Sequence, residues 1–259
     1  MLLLCMGLGA QQKYLLENEK MRAEVDLAQG ALLGLQSKVT GWNVVEDEKA
    51  ACSFEANVKL ANGNFFVINA ASQCRPEVTI QGDKLTFVWN GLNVGDQQLD
   101  ATFTGTITMT PDGLVYGGKV VNKSDAIIEQ LAWPFLGEVS IPADTERMLL
   151  QYMNYTKFNT EELYPREAGK GWCNFPEHSF ALINNGKQGL YLSSMDHKLD
   201  EYVRCEYETV PTPAYASFIG TATSKQGNGE RRLMRTRLRA ARMSILYKRI
   251  RIEILYRLS

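Results

Sequence analysis

Phe54-Glu55-Ala56-Asn57-Val58-Lys59-Leu60 is followed by Ala61-Asn62-Gly63-Asn64 and then by Phe65-Phe66-Val67-Ile68. The apolar residues at 54, 56, 58 and 60 recur at every second position, the period of a strand with one face in a core. Asn62-Gly63 supplies the backbone that a tight hairpin turn needs, so the second apolar run reads as the returning arm. Outward from this hairpin the same pattern repeats. Met21, Ala23 and Val25 alternate with Arg22, Glu24 and Asp26, and Gly30 turns the chain into Leu32, Leu33 and Leu35. Val78 and Ile80 run through Gly82-Asp83 into Leu85, Phe87 and Trp89, an arm expected to end at Asn90-Gly91. Phe103, Ile107 and Met109 precede a Pro111-Asp112-Gly113 turn, with Val115 and Lys119 to Val121 beyond it. Phe180 to Ile183 and Gly189 to Leu192 flank Asn185-Gly186. Helical signals are scarce, and the best one in the body, Glu161 to Glu167, is interrupted by Pro165. Strands at intervals of about 8–12 residues with turn residues between them predict an all-β fold, a large antiparallel sandwich. The polar, aromatic-bearing span from Pro142 to Glu177 breaks the pattern and reads as a long irregular excursion of functional or capping character.

The chain has 259 residues, enough for one large all-β domain, and its 45% hydrophobic and 22% charged content excludes a disordered protein. The net charge of −1 conceals a split. From Ala222 onward eleven Lys and Arg face only Glu230 and Glu253, a charge of +9, which leaves −10 on the first 221 residues. Within this tail Met234, Leu238, Ala241 and Ile245 fall at helical spacing, whereas Ile250, Ile252, Ile254, Tyr256 and Leu258 alternate like a strand. A basic arm for nucleic acid or an anionic membrane surface is one reading. A segment translated in a shifted reading frame is the other, and it is preferred because the composition changes so abruptly. Residues 13–220 are therefore expected to form the domain, with 221–259 an atypical basic tail, and no nucleic-acid partner is expected.

Residues 1–12 resemble a truncated signal peptide, an apolar run closing on Leu8 and Ala10 without a basic start, although a buried strand reads similarly. The signal reading places the protein in a bacterial periplasm or outside the cell. No other apolar run approaches the roughly 18 residues of a membrane span, so no stable span is expected. Cys5 would leave with the signal. Cys52, Cys74, Cys173 and Cys205 form no C-x-x-C pair, which argues against a zinc site. They allow three disulfide connectivities or four free thiols. No metal and no cofactor is expected.

Leu16-Glu17-Asn18 with the strand from Met21 to Asp26, then Gly30-x-Leu32-x-x-Leu35 and Lys38-x-Thr40-Gly41-x-Asn43, resembles the opening of galactose-mutarotase-like supersandwich domains. Val120-Val121-Asn122-Lys123-Ser124-Asp125 with Ile127-Ile128 and Trp133-Pro134 is similar to a strand pair of that family, and Gly189-Leu190-Tyr191 with Asp196 to another of its strands. The resemblance covers about Lys13 to Gly220. It implies an antiparallel β-supersandwich of the kind that precedes the catalytic (β/α)8 barrel in bacterial glycoside hydrolases. Too few residues follow Gly220 for a barrel of more than about 200 residues. The implied protein is thus a carbohydrate-binding or supporting accessory domain without catalytic residues, whose partners are a poly- or oligosaccharide and a catalytic domain absent from this chain. A self-contained aldose mutarotase working through His178 or His197, the only two histidines, is the alternative.

Sugars present an apolar C–H face that stacks on aromatic rings and a rim of hydroxyls that needs polar partners. Tyr164, Arg166, Trp172, His178, Asp196 and His197, with Tyr152 and Tyr155, are the residues of those types gathered in the excursion and the hairpin after it. They are the expected saccharide contacts. Trp42, Trp89 and Trp133 are expected in the core. Glu161, Glu162 and Glu167 are read as a solvated charge cluster rather than a catalytic carboxylate pair, which needs a fixed separation across the scissile bond.

Overall fold

The computed structural model describes residues 13–46, 53–143, 145–154, 157–164, 169–174, 180–194, 201–209, 216–224 and 246–256. Among these the chain is all-β, with a single 3-10 turn at Ala70–Ser72 and no α-helix. Strands β1 (Lys13–Glu17), β2 (Met21–Asp26), β3 (Leu32–Ser37) and β4 (Asn43–Val45) form a four-stranded sheet in chain order. The others are β5 (Glu55–Lys59), β6 (Phe65–Asn69), β7 (Glu77–Gln81), β8 (Lys84–Val94), β9 (Gln97–Met109), β10 (Leu114–Asn122), β11 (Ile127–Val139), β12 (Met148–Asn154), β13 (Lys157–Tyr164), β14 (Gly169–Asn174), β15 (Phe180–Asn184), β16 (Gln188–Ser194), β17 (Glu201–Thr209), β18 (Ala216–Ser224) and β19 (Leu246–Tyr256). They build a nine-stranded sheet in the order β13-β12-β15-β16-β19-β10-β9-β8-β7 and a six-stranded sheet in the order β14-β17-β18-β11-β5-β6. Every pairing is antiparallel.

The two large sheets meet through aromatic rings. Phe54, just ahead of β5, packs edge-on against Trp89 of β8 and Phe103 of β9, with ring centroids 4.9 and 4.8 Å apart. Trp133 of β11 reaches Phe103 and Tyr116 at 5.6 and 5.5 Å. Its indole Nε1 donates to the carbonyl of Gly117 at 2.9 Å, which satisfies the one polar atom that burying the ring would otherwise strand. Space for the indole comes from Gly105 and Gly118, which lie opposite each other on β9 and β10. A Cβ on Gly105 would stand 2.8 Å from the Trp133 ring. Trp42, Trp89 and Trp133 are all buried, in agreement with the sequence. Trp42 ties the small sheet to the end of β11, since its Nε1 donates to the Ser140 carbonyl and hydroxyl.

The hairpins at Asn62-Gly63, Gly82-Asp83, Pro111-Asp112-Gly113 and Asn185-Gly186 form as expected. Four expectations need correction or extension. β8 does not end at Asn90-Gly91. It shifts register there, with Gly91 at φ +76°, and continues to Val94 before turning at Gly95-Asp96. The span from Pro142 to Glu177 is not irregular, because it contributes β12, β13 and β14. Of the helical candidate Glu161 to Glu167, Glu161 to Tyr164 belong to the strand β13 and the rest lies outside the described residues. β13 is the outer edge of its sheet among the described strands, and over residues 157–163 only Leu163 is buried, so its sequence is as polar as that of a loop. The basic C-terminal stretch supplies β19, which lies between β16 and β10 inside the nine-stranded sheet. The helical periodicity around Met234 to Ile245 falls outside the described residues.

Candidate functional site

The hairpin of β15 and β16 shows how the nine-stranded sheet divides its faces. Ala181, Ile183, Leu190 and Leu192 are buried, and the alternate residues Phe180, Leu182, Tyr191 and Ser193 are half-exposed. The register pairs Phe180 with Ser193 and Leu182 with Tyr191, which sets Phe180 and Tyr191 on one diagonal of the outward face. Their rings stack at 5.9 Å with planes 21° apart. Asn185-Gly186 fixes this register, since the Asn185 carboxamide accepts from the backbone N–H of Lys187 and Gln188.

Across β9 the same outward face is a row of Thr102, Thr104, Thr106 and Thr108, all half-buried. Between the threonines and the aromatic pair runs β19, whose Arg249 is opposite Gly117 and whose Arg251 is opposite Ser193. Beyond β15, β12 sets Gln151 opposite Leu182, and Gln151 accepts from the Asn184 carboxamide at 2.9 Å. At the inward side Tyr152 donates its hydroxyl to Glu161 at 2.7 Å. Arg147 pairs with Glu162 in an exposed ion pair. These two glutamates belong to β13, and Glu167 lies outside the described residues.

Of the eight expected saccharide contacts, Tyr155, Arg166, His178, Asp196 and His197 lie outside the described residues, and Tyr152 is buried with its hydroxyl on Glu161. Tyr164 and Trp172 lie in strands of different sheets. Tyr164 ends β13 opposite Met148, at the end of the sheet where the turn after Asn184 stands. Trp172 is in β14, the edge of the six-stranded sheet, opposite Glu206 of β17. β14 itself runs close to β12. In the sequence Phe180 and Tyr191 read only as strand residues. Their spacing against the turn at Asn185-Gly186 is the signal that places them on one face.

The buried side of the sheet carries a different group. The Tyr116 hydroxyl has no hydrogen-bond partner among the described residues, and burial pushes its pKa well above the ordinary tyrosine range. It is closed off from the outward face and plays no part in the candidate site. Among the described residues no set of three His, Cys, Asp or Glu could hold a metal ion, and no helix is long and apolar enough to cross a membrane.

No protein-family model and no curated protein matches this sequence. Solved structures do. A galactose mutarotase-like protein from Lactobacillus casei ATCC 334 superposes with a TM-score of 0.61 at 14% identity, covering 94% of this chain and 100% of that one. The fold is galactose mutarotase-like. A galactose mutarotase related enzyme from Lactobacillus acidophilus shares this galactose-mutarotase-like fold at a TM-score of 0.59 and 12% identity, over 94% of this chain and 97% of its own. The 4-alpha-glucanotransferase of Thermococcus litoralis matches 95% of this chain at a TM-score of 0.55 and 8% identity, but only 38% of its own length. The fold thus recurs both across whole proteins and as one part of larger carbohydrate-active enzymes.

Proposed function

We propose that this chain binds a saccharide on the outward face of its nine-stranded sheet, and that its two large sheets stack as a β-supersandwich to present that face. The stacked, half-exposed Phe180–Tyr191 pair carries the reading. Exposed aromatic rings held rigidly by a strand register offer a sugar's C–H face a flat partner at little entropic cost. Ser193 and the threonine row supply hydroxyl partners on the same face. Chain connectivity adds the polar groups. His178 precedes Phe180 by two residues and Asp196 follows Ser194 by two, and Phe180 pairs with Ser193. The segments bearing His178, Asp196 and His197 therefore leave from one end of one hairpin. In this reading the chain serves a carbohydrate-active enzyme as a binding or supporting accessory domain in a bacterial periplasm or outside the cell. Binding of a glycan panel to the full chain tests it, with Phe180→Ala and Tyr191→Ala as controls. Binding that both substitutions weaken supports the proposal, and unchanged binding in both overturns it.

The chain's only two histidines adjoin that same hairpin end, which favours a second reading, an aldose 1-epimerase using them as acid and base. Anomer interconversion by the purified chain, abolished in His178→Ala or His197→Ala, would establish it.

A further inference from the structure

Cys74 is disulfide-bonded. Its surroundings restrict its partner. The Cys74 Sγ accepts from the Asn93 carboxamide at 3.9 Å, and the neighbouring Gln73 side chain exchanges hydrogen bonds with the Asn93 backbone, so Cys74 stands beside β8 just beyond β6. Cys173 and Cys205 belong to β14 and β17, and β17 is separated from β6 by β18, β11 and β5. Four strand spacings amount to roughly 19 Å, several times the longest Cα separation of about 7 Å that a disulfide spans. In the sequence Cys52 precedes Phe54 by two residues, and the Phe54 carbonyl accepts from the backbone N–H of Ala70, four residues ahead of Cys74. The β5–β6 hairpin thus sets Phe54, two residues after Cys52 in the chain, at the end from which the segment bearing Cys74 leaves. Cys5 lies ahead of β1 in the segment that reads as a removable signal.

The other two cysteines meet across a strand pair. The register of β14 and β17 sets Cys173 directly opposite Cys205. Directly opposed residues of an antiparallel pair have Cα atoms about 4.5 or 5.5 Å apart, depending on whether the pair is hydrogen-bonded, and both separations fall inside the disulfide range. A one-residue slip would turn the two side chains to opposite faces, so this register is specific for the pairing.

We propose that the chain carries two disulfides, Cys52–Cys74 and Cys173–Cys205, and that the second fastens the edge strand β14, with Trp172, to β17. In the sheet order β14 has a neighbour on one side only, so this bridge is its covalent hold on the sheet. Each bridge forms as two thiols give up two protons and two electrons to a disulfide oxidant, such as glutathione disulfide or the catalytic disulfide of a thiol oxidoreductase. A new S–S bond forms while the oxidant's is cleaved to two thiols. The pairing is independent of the saccharide reading, and its failure would leave that reading untouched.

Peptide mapping tests it. The full chain is produced through an oxidising export route, unfolded, alkylated without reduction and digested with trypsin. The expected linked pairs are 171–187 with 205–225 and 50–59 with 60–84, each separating on reduction. Alkylation of Cys173 or Cys205 before reduction, or a link from Cys74 to either of them, overturns the proposal. In Cys173→Ser, Cys205 becomes alkylatable without reduction; a Cys205 that stays blocked would also overturn it.

Discussion

Two aromatic groups flank the nine-stranded sheet, one at its seam with the six-stranded sheet and the other on its outward face. Trp89, Phe103, Tyr116 and Trp133 are buried, with mixed stacked and edge-on contacts, and close the seam between the two large sheets. Among the described residues, the ring contact of Phe180 and Tyr191 is with each other, on the solvent side of a hairpin. Residue type does not separate the groups. What separates them is parity along the strand, since one step in register moves a ring from the seam to the outward face. Rings at the seam should govern stability, and rings on the outward face should govern binding.

The largest effect is expected from removing β19. Truncation after Gly220 takes away the strand between β16 and β10, together with the last four residues of β18, and leaves the edges of β16 and β10 unpaired, so the hairpin face would lose its support. Circular dichroism and thermal melting should show loss of the cooperative unfolding transition. A truncated chain that melts like the full one would show that residues 13–220 stand alone and that the basic stretch is separable.

Trp133→Ala comes next. It deletes a buried ring and removes the indole hydrogen bond to the Gly117 carbonyl, at a cost of about 3–5 kcal/mol in chemical denaturation. Gly105→Ala attacks the same contact from the other side, forcing a methyl to within 2.8 Å of the indole, and should cost about 1–3 kcal/mol. Neither outcome is expected from Tyr191→Ala, whose stability should change by less than about 1 kcal/mol. Its saccharide affinity should fall about tenfold, within the range of a lost aromatic stacking contact. Equal losses of stability at both sites would erase the distinction between the two groups.

The smallest effect concerns Tyr116. Its hydroxyl stays neutral in the folded state well past the pH at which an unfolded tyrosine ionises, about 10. Above that pH the unfolded state releases a proton that the folded state keeps, so stability falls as pH rises. Tyr116→Phe should be near neutral at pH 7, because the hydroxyl has no partner among the described residues, and should be more stable than the parent above about pH 10. A difference that does not grow with pH would contradict this.

Much of the fold was legible in the sequence, and the exceptions have physical causes. Hairpins with a turn dipeptide between alternating apolar residues, such as Phe54 to Ile68, form where expected. The β12–β13 hairpin was missed because its outer strand is an edge, where polar residues such as Thr160, Glu161 and Glu162 are tolerated on both faces. Gly91 signals a turn but makes a kink within β8, since one positive-φ residue fits a bulge as well as a turn. Charge drew attention to the C-terminal stretch and away from its alternation of Ile250, Ile252 and Ile254, whose partners in register, Tyr116, Leu114 with Leu192, and Leu190, are core residues. For the proposed site, composition points to residues that flank the β15–β16 hairpin, whereas Phe180 and Tyr191 lie in its strands. Ring exposure depends on which face the register assigns, and that is a property of the assembled sheet.

Nuclear magnetic resonance mapping of a saccharide titration tests the central claim most directly. For a sugar that binds, the largest shift changes should fall on Phe180, Leu182, Tyr191 and Ser193, with the Trp89, Phe103 and Trp133 resonances unmoved. Changes confined to other surfaces, such as the exposed edge at Phe65 and Val67, or no binding by any sugar tested, would contradict it.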